Sequence, residues 1–284
     1  MLTQNLQPKN LPRPFLKWAG GKNQLIQQYI RYFPQDFKTY YEPFLGGGAI
    51  FFHLQPKVAV LTDINPELIN AYHCVRDNLD QLISILEKHQ MRHSKDYYYQ
   101  VRASKGGVPL MYSEGTLVER GARFIYLNKT CFNGLYRENS KGEFNVPIGK
   151  YKNPKICSPD LLRSVSVALQ AAQIKVRPFD AVLGYAKTAQ DFVYFDPPYY
   201  PLNHTSSFTA YSRYSFNEDE QIRLRDVFVE LTARGVKVML SNSDCSFIRD
   251  LYSKFTIHKI SAARAINSNA NKRGRISEIL VTSY

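Results

Sequence analysis

The tetrapeptide Asp196-Pro197-Pro198-Tyr199 follows directly on the apolar run 191–195 and combines a carboxylate, two prolines and an aromatic ring. Each proline fixes its own φ and lacks an N–H group, so carbonyl oxygens are the polar backbone groups that remain. The Asp196 carboxylate and the Pro197 carbonyl therefore form a stiff pair of acceptors beside the Tyr199 ring. Such a pair suits a nucleobase amino group, because it accepts both hydrogens and keeps the nitrogen lone pair out of conjugation with the ring. A proline turn that only closes the strand is the alternative, and it leaves the carboxylate and the ring unexplained.

A second candidate is the glycine-rich segment EPFLGGGA at 42–49, which lies between an extended stretch and an apolar one. Three successive glycines allow a backbone to approach a ligand closely, although a tight turn explains them about as well. The segment has neither the GxGxxG pattern nor a Walker lysine, which disfavours NAD and ATP. Downstream, Asp63 ends the run 58–62, where a carboxylate can accept both hydroxyls of a ribose. The alternative for Asp63 is an N-cap for the helix that starts near Pro66.

The elements that position these groups alternate between β-branched runs and amphipathic segments, which is typical of an α/β sheet with helices on both faces. We predict strands at Val58–Thr62, Ile174–Phe179, Phe192–Phe195, Val236–Ser241, Thr256–Ile260 and Glu278–Thr282. Apolar spacing predicts a helix from about Pro66 to Lys88, and a capping pattern at Asn217 and Glu220 predicts the start of another. Ligands of open α/β sheets bind beyond the carboxyl ends of the strands, so we expect the tetrapeptide at that edge.

The alternation breaks between about residues 70 and 160, where helical patterns follow one another without strands. Within this stretch, Asn133-Gly134 and Lys141-Gly142 are turn signals flanked by Tyr, Phe and Val, and they predict a β-hairpin or an irregular loop. We therefore expect a doubly wound, Rossmann-like α/β domain made of residues 1–70 and 160–284. An inserted, mainly helical module is expected at 71–159, with its hairpin near 128–154.

The charge balance favours a polyanionic partner. The 284 residues include 37 Lys and Arg against 24 Asp and Glu, for a formal net charge of +13. A nucleic acid is the most frequent partner of such a chain, and a merely soluble basic protein is the alternative. The positive charge concentrates in three acid-poor segments, 9–35, 129–155 and 259–275, as expected of arms that contact phosphates.

Other composition features exclude several classes of protein. The 44% hydrophobic share excludes a disordered chain. The four cysteines form no CxxC pair, so reduced and mostly buried thiols are expected in place of a zinc ribbon or a redox motif. The sequence has no apolar segment of the length a membrane span needs, and it predicts a cytoplasmic protein.

Taken in order, the motifs FLKWAGGK (15–22), EPFLGGGAIFF, TDIN, NKTCFNGLYR, FNVPIGKY and DPPY resemble those of the Dam-type DNA adenine N6-methyltransferases. The resemblance extends from about Pro14 to the C-terminus, and although DPPY is shared with other amino-methylating enzymes, the ordered set is highly specific. It implies a Rossmann-like methyltransferase sheet. It also implies metal-free transfer of a methyl group from S-adenosylmethionine to N6 of an adenine flipped out of duplex DNA.

The resemblance further implies the target GATC and a restriction-system role. In that role the enzyme protects DNA from a companion endonuclease without required physical contact. Nothing in the sequence indicates the oligomeric state.

The resemblance assigns two sets of site residues on the α/β domain. Asp196, Pro197 and Tyr199 form the catalytic corner, with Tyr199 stacked on the target base. The implied cofactor contacts are Trp18, Lys22, Phe44, Gly46, Gly48, Asp63, Phe179, Asp180 and Asp196. Within that set, the Trp18 ring is expected beside the sulfonium as a cation–π neighbour, and Lys22 is expected to steer the methionine carboxylate. Core packing is the alternative for Trp18, and an ordinary surface lysine is the alternative for Lys22.

The implied DNA contacts lie in the insert and are Lys129, Phe132, Asn133, Leu135 and Arg137. Arg137 is the expected bidentate partner of a guanine, the commonest base-specific contact. Phe132 and Leu135 are expected to wedge into the base stack, and a small hydrophobic cluster under the hairpin is the alternative. Lys129 stands where many relatives carry Arg. The polar segment His204–Phe216 is expected to be a mobile loop that orders on the extruded strand, or else a passive linker.

Three other functions remain open from the sequence. A cytosine-N4 methyltransferase uses a similar acceptor loop. A methyltransferase acting on protein glutamine or RNA more often has Asn before the two prolines. A catalytically silent DNA-binding protein explains the basic segments but leaves Asp196 and the glycine motif unexplained.

Overall fold

The computed structural model describes residues 11–103, 116–202, 216–263 and 275–284, so residues 204–215 of the expected mobile loop lie outside the described part. The strands are β1 Thr39–Glu42, β2 Ala59–Asp63, β3 Ala172–Val176, β4 Asp191–Phe195, β5 Lys237–Ser243, β6 Thr256–Ala263 and β7 Arg275–Thr282. They form one seven-stranded sheet in the order β3-β2-β1-β4-β5-β7-β6. The five strands from β3 to β5 in this order are parallel, and β7 is antiparallel to both β5 and β6. Chain order reverses between β1 and β4, which confirms a doubly wound, Rossmann-like sheet.

The helices of the described residues cover both faces of this sheet. They are α1 Ile26–Tyr29, α2 Ala49–Leu54, α3 Pro66–Asp77, α4 Leu79–Arg92, α5 Lys95–Ala103, α6 Leu117–Thr130, α7 Pro159–Leu169, α8 Glu218–Ala233 and α9 Ser246–Leu251. Along β4, Phe192 and Tyr194 belong to one hydrophobic core, and Val193 and Phe195 belong to the other. Successive side chains of a strand point to opposite faces, so the continuous apolar run of β4 is explained by burial on both sides.

Two predicted elements differ from the structure. The predicted strand Ile174–Phe179 is β3, which ends at Val176, while Phe179 opens the 3-10 helix Phe179–Gly184. Pro178 between them has no N–H group to extend the ladder, which accounts for the earlier end. The predicted helix from Pro66 to Lys88 is two helices, α3 and α4, separated at Asn78 with φ −131° and ψ 36°.

The predicted helix start at Asn217 is confirmed, since the Asn217 side chain accepts the Glu220 N–H at 3.0 Å. One strand was missed. The central strand β1 has the sequence TYYE, which shows no apolar run, although Tyr40, Tyr41 and Glu42 are all buried.

The predicted run of helices between residues 70 and 160 is present, as α3 to α7. The helix α6 packs tightly on α3, because a Cβ at Gly121 would lie 2.6 Å from Sγ of Cys74. Tyr126 and Leu127 of α6 share one hydrophobic core with Phe192 of the sheet. The insert therefore packs as part of the main core, and the division at residues 70 and 160 remains a prediction.

The region after α6 is an irregular hairpin. It has two isolated antiparallel bridges, between Cys131 and Ile148 and between Glu138 and Phe144, and the 3-10 turn Phe132–Gly134. Gly134 has φ +64°, and a Cβ there would lie 2.4 Å from Cβ of Lys17. This close approach seats the hairpin against the N-terminal FLKWAGGK segment.

All four cysteines are free thiols, and Cys74, Cys131 and Cys157 are buried, as the sequence predicted. Among the described residues no helix combines the length and the apolar character that crossing a membrane requires.

Candidate active site

Three segments meet at the carboxyl edge of the sheet. The glycine-rich segment follows β1, Asp63 is the last residue of β2, and Asp196 comes directly after β4. Because β1 pairs in parallel with both β2 and β4, the three strand ends lie side by side. This is the edge where open α/β sheets bind their ligands.

The carboxylate of Asp196 is held from one side only. Its Oδ1 lies 2.8 Å from Nζ of Lys22 and accepts the hydroxyl of Ser241 at 2.8 Å. Lys22 is 3% exposed and also donates to the carbonyl oxygen of Gly20. None of the described residues donates a hydrogen bond to Oδ2 of Asp196 or to the Pro197 carbonyl. The corner therefore has two acceptors, on consecutive residues, that the described part of the chain leaves without a donor.

Tyr199 is anchored through its hydroxyl, and its aromatic ring lies at the Asp196 corner. Its OH donates to Oε2 of Glu278 at 2.8 Å, and Nζ of Lys22 lies 4.7 Å from the ring centroid. Burial, followed by electrostatic interactions with Tyr29, Asp196 and Glu278, raises the pKa of Tyr199 well above its ordinary value, so the phenol stays a donor. Burial also raises the pKa of Glu278, against the opposing effect of Lys22.

The glycine segment is shaped by contacts that exclude side chains. Gly46 and Gly48 have φ of +46° and +67°, a region that favours glycine. A Cβ at Gly46 would lie 2.7 Å from Cδ1 of Trp18, and a Cβ at Gly48 would lie 2.9 Å from the hydroxyl of Tyr72. The Tyr72 hydroxyl also donates to the Gly46 carbonyl at 3.0 Å. The backbone therefore bends in close contact with Trp18 and Tyr72 beside the end of β2.

Asp63 supports that bend without capping a helix. Its Oδ2 accepts the Gly46 N–H at 3.1 Å, and its Oδ1 accepts the Asn65 N–H at 3.0 Å. The helix α3 is capped by Asn65, whose side chain accepts from Glu67 and Leu68. Burial raises the pKa of Asp63, and the backbone N–H donors oppose that shift. A carboxylate has about four acceptor positions, so both oxygens can still accept from a ligand hydroxyl.

A cluster of packed aromatic rings adjoins the bend. The rings of Phe44 and Phe179 are stacked with centroids 5.4 Å apart and planes at 21°, and Phe216 packs edge-on against Phe44 at 5.7 Å. Next to Phe179, Oδ2 of Asp180 forms an ion pair with Arg223. The buried Oδ1 of Asp180 has no hydrogen-bond partner among the described residues. A buried acceptor that no described residue satisfies is free to accept from a water molecule or a ligand.

The segment with Lys17 and Trp18 connects this edge to the insert. The Lys17 N–H donates to Oδ1 of Asn128 at 2.8 Å, and Nδ2 of Asn128 donates to the Lys17 carbonyl at 2.6 Å. The Trp18 ring stacks on Tyr136 of the hairpin, with centroids 6.1 Å apart and planes at 25°. Trp18 thus lies between the Gly46 backbone and the hairpin.

The residues implied as DNA contacts differ in exposure. Phe132 is 48% exposed and Asn133 is exposed with φ +55°, whereas Leu135 is half-buried against the main core. Nε of Arg137 donates to Oδ1 of Asn145 at 2.6 Å, so the side chain is held in place. Burial, followed by the charges of Lys17, Arg13 and Lys155, lowers the pKa of Lys129 to about 8.

Comparison with known proteins decides the family. Residues 18–266 match the model of the D12 class N6 adenine-specific DNA methyltransferases. The chain belongs to this family.

Similar proteins align with nearly the whole length of the methyltransferase. It is 49% identical over 276 residues to the Type II methyltransferase M1.LlaDCHI of Lactococcus lactis subsp. cremoris, covering 96% of this chain and 95% of the relative. It is 44% identical over 290 residues to the Type II methyltransferase M.MjaIII of Methanocaldococcus jannaschii, at 96% and 99% coverage. It is also 34% identical over 272 residues to the DNA adenine methylase of Escherichia coli K12, at 94% coverage of both.

The methyltransferase also uses residues that the sequence analysis did not single out. Ser241 on β5 and Glu278 on β7 hold Asp196 and Tyr199, and each is a polar residue at the end of a predicted strand. Glu42 is the last residue of β1 and is buried. Its Oε2 accepts a hydrogen bond from the Tyr40 hydroxyl at 2.9 Å. A polar residue in an otherwise apolar strand indicates a functional side chain, but the sequence does not show which distant group it forms a hydrogen bond with. In the described part of the chain no cluster of His, Cys, Asp or Glu is arranged to hold a metal ion.

Proposed function

We propose that this adenine-specific DNA methyltransferase takes its methyl group from S-adenosylmethionine and accepts a flipped adenine at the Asp196 corner. One observation carries the proposal: Oδ1 of Asp196 is occupied by Lys22 and Ser241, while Oδ2 and the Pro197 carbonyl receive no hydrogen bond from the described residues. An exocyclic amino group has two hydrogens, and these two acceptors match them.

The residues around the glycine bend fit the proposed cofactor. The remaining acceptor positions of Asp63 suit the two ribose hydroxyls, and the unpartnered Oδ1 of Asp180 suits an adenine amino group. Phe44 and Phe179 suit that adenine as an apolar wall, in which Phe179 is itself packed against Phe44 and lies 4.9 Å from the Arg223 guanidinium. An ammonium has three donors, so Lys22 keeps one for the methionine carboxylate beside its contacts to Asp196 and Gly20. Trp18, Gly46 and Gly48 would line the methionine side of the bend. When bound, S-adenosylmethionine supplies an electrophilic methyl group.

The side chains of the corner then act by position and charge. Oδ2 of Asp196 and the Pro197 carbonyl accept the two amino hydrogens and hold the nitrogen lone pair out of the ring, while Tyr199 stacks on the base. The nitrogen would gain the methyl group as the bond from that carbon to the cofactor sulfur breaks, with S-adenosylhomocysteine as the leaving group, and one amino proton would then pass to solvent. Alignment of this kind supplies up to roughly 7–11 kcal/mol, so the reaction proceeds without a covalent nucleophile. Preorganised acceptors add electrostatic stabilisation of the charge that develops on nitrogen.

The insert provides the DNA contacts in this proposal. Lys129 and Asn133 contact the backbone, Phe132 and Leu135 fill the place of the extruded adenine, and Arg137 reads a guanine. Base flipping costs a few kcal/mol in lost pairing and stacking, which these contacts offset.

We further propose GATC as the target sequence and a companion restriction endonuclease as the functional partner. The resemblance of the ordered motifs to Dam-type enzymes supports GATC. Higher identity to two Type II methyltransferases, at 49% and 44%, than to the Escherichia coli DNA adenine methylase, at 34%, supports the restriction role.

The test uses purified enzyme, S-adenosylmethionine with a labelled methyl group, and short duplexes that differ only at the GATC adenine. We expect label at N6 of that adenine and none in the duplex where it is replaced. Label at N4 of a cytosine would identify a cytosine methyltransferase, and DNA binding without label in any duplex would identify a silent binding protein. Asp196→Ala is the matched variant, and it should abolish labelling.

A further inference from the structure

Two buried amide side chains hold the backbone just after the two prolines. Nε2 of Gln221 on α8 donates to the Pro198 carbonyl at 3.0 Å, and Oδ1 of Asn242 on β5 accepts the Tyr200 N–H at 3.1 Å. Nδ2 of Asn242 donates to Oε1 of Gln221 at 2.9 Å, which joins the two amides. The hydroxyl of Ser243 completes the network by donating to the Tyr200 carbonyl at 2.6 Å. Gln221 and Asn242 have no exposed surface.

The network fixes which way each amide points. Oδ1 of Asn242 accepts two backbone N–H groups, from Tyr200 and from Ser243 at 2.8 Å. Its Nδ2 must therefore face Gln221, whose Oε1 accepts and whose Nε2 is left to donate to Pro198. Neither amide can be flipped without opposing two donors or two acceptors in a buried place, which is costly. The donor facing the Pro198 carbonyl is thus specified by the fold.

We propose that Gln221 and Asn242 are positioning residues that aim the Pro197 carbonyl at the target amino group. This inference rests on the proposed function, because it names residues that act through the Asp196 corner. The proline rings fix φ at both positions, so the ψ angles are the remaining freedom of the segment. Asp196 is anchored before the Pro197 carbonyl and the Pro198 carbonyl is anchored after it. The free acceptor is held between two fixed points.

The amide pair replaces anchors that prolines cannot supply. A corner built from other residues would offer N–H groups at 197 and 198, through which neighbouring elements could hold it. Here the two N–H groups are missing, and holding the segment through its carbonyls requires a donor on a neighbouring element. Gln221 supplies that donor from α8, and Asn242 fixes its direction from β5.

The decisive variant is Gln221→Glu, which exchanges the donor for a titratable group. As a carboxylate it opposes the Pro198 carbonyl, and as a carboxylic acid it donates to the carbonyl again. Burial raises the pKa of such a carboxyl, so both forms are accessible in ordinary buffers. We expect kcat on a GATC duplex to fall about ten- to a hundredfold at high pH and to recover at low pH.

The wild-type enzyme and Gln221→Glu share the other ionisable groups near the corner. The ratio of variant to wild-type kcat at each pH therefore removes the effect of those groups. These groups are Lys22, Asp180, Asp196, Tyr199, Glu218, Arg223 and Glu278.

Two further variants separate positioning from folding. Gln221→Met has similar length and no polar atoms, so its kcat should be reduced to a similar extent at every pH. Gln28→Glu is the matched control, because the Gln28 amide also donates to a backbone carbonyl, that of Ser261, at 2.9 Å at the outer strand β6. It should retain wild-type kcat throughout.

The measurements are kcat and KM for DNA, the affinity for S-adenosylhomocysteine, and Tm across the same pH range. The proposal is supported if the kcat of Gln221→Glu falls as pH rises while its affinity for S-adenosylhomocysteine stays within about twofold of wild type. A Gln221→Glu protein with an unchanged kcat ratio at every pH, or with losses that track Tm alone, overturns the proposal. Should Gln221→Glu not fold, a folded Gln221→Met protein with wild-type kcat overturns it, and one with reduced kcat and intact cofactor affinity supports it. Labelling by the wild-type enzyme tests the proposed function separately.

Discussion

The ammonium of Lys22 lies 2.8 Å from Oδ1 of Asp196 and joins the N-terminal FLKWAGGK segment to the corner after β4. The resemblance placed both residues at the cofactor, but it did not indicate that they contact each other. Because Lys22 is 3% exposed and Asp196 is 20% exposed, this ion pair is largely withdrawn from water. Lys22 therefore fixes the carboxylate and leaves its second oxygen for a substrate.

Loss of this ion pair should be severe. In Lys22→Met the carboxylate keeps only the Ser241 hydroxyl at Oδ1, and we expect kcat/KM to fall at least a hundredfold, in the range seen when a preorganised charge contact is removed. Removing one partner of a buried pair costs about 3–5 kcal/mol, so a lower Tm is also expected. The control is Lys254→Met, since Lys254 is exposed and distant in the fold from the carboxyl edge. A Lys22→Met enzyme with wild-type kcat/KM would contradict the role given to the pair.

Much of the sheet follows from the sequence because its central strands are buried on both faces. The run DFVYF of β4 is hydrophobic from Phe192 to Phe195, and the tetrapeptide after it lies at the expected edge. The strand β1 was missed because TYYE has polar atoms at every position. Those atoms are accommodated by particular partners, as in the bond from the Tyr40 hydroxyl to Glu42. Such partners are visible only in three dimensions.

The same limit applies to the site. Asp63 and Asp196 were predicted because each lies at the end of a predicted strand, and the glycines because three in succession form a local motif of their own. Ser241 and Glu278 belong to no motif, and they reach Asp196 and Tyr199 across 45 and 79 residues of chain. The break between α3 and α4 at Asn78 was not predicted for a related reason. The apolar spacing continues through both helices, and no Gly or Pro marks the junction.

Glu278 should matter as an acceptor for Tyr199. Glu278→Leu removes the acceptor and leaves a buried phenol hydroxyl unpaired, which costs about 1–3 kcal/mol. We expect a decrease in kcat of about tenfold, because the ring of Tyr199 is no longer held at the corner. Glu278→Gln keeps an acceptor oxygen of the same reach and should retain most of the activity. Steady-state kinetics on one duplex distinguishes the two variants, and equal losses in both would indicate that charge, and not the hydrogen bond, is needed.

Glu42 should make stability depend on pH. Burial raises the pKa of Glu42 to about 8, helped by the negative charge of Asp196 and opposed by Tyr40 and Lys22. A carboxyl whose pKa is higher in the folded state binds more protons when folded, so stability decreases as pH rises from about 4.5 to 8. We expect the free energy of unfolding in urea to decline by up to a few kcal/mol over that range.

The matched variants for this prediction are Glu42→Gln and Glu87→Gln. Glu42→Gln is neutral at every pH and should lose most of the decline, whereas the exposed Glu87 should not affect it. Parallel curves for wild type and Glu42→Gln would show that other groups set the pH dependence.

The glycine bend should not tolerate even one methyl group. Gly46→Ala places a Cβ 2.7 Å from the Trp18 ring at a φ of +46°, a conformation that costs about 1–3 kcal/mol for a residue other than glycine. We expect weaker binding of S-adenosylhomocysteine by calorimetry and a lower Tm. Gly184→Ala is the control, because no heavy atom lies within 4 Å of its Cβ position. Wild-type affinity in Gly46→Ala would exclude the bend from the cofactor site.

Arg137 should set the preference for guanine in the target. Its Nε and Nη2 both donate to Asn145, which fixes the plane of the guanidinium and leaves Nη1 and the second N–H of Nη2 to form a bidentate contact with a base. Arg137→Lys keeps the charge but loses the paired geometry, so discrimination against a replaced guanine should fall by about 1–3 kcal/mol. The measurement is kcat/KM on GATC duplexes with guanine or 7-deazaguanine, which lacks the N7 acceptor.

The wild-type enzyme should prefer guanine over 7-deazaguanine, and Arg137→Lys should lose most of that preference while binding DNA at similar salt dependence. Arg163→Lys is the control, because Arg163 is 58% exposed on α7 and pairs only with Asp80 among the described residues. Asn145→Ala provides an independent check, since it releases the guanidinium without removing it and should lower discrimination to an intermediate level. If Arg137→Lys discriminates as well as wild type, the guanine is read elsewhere in the insert.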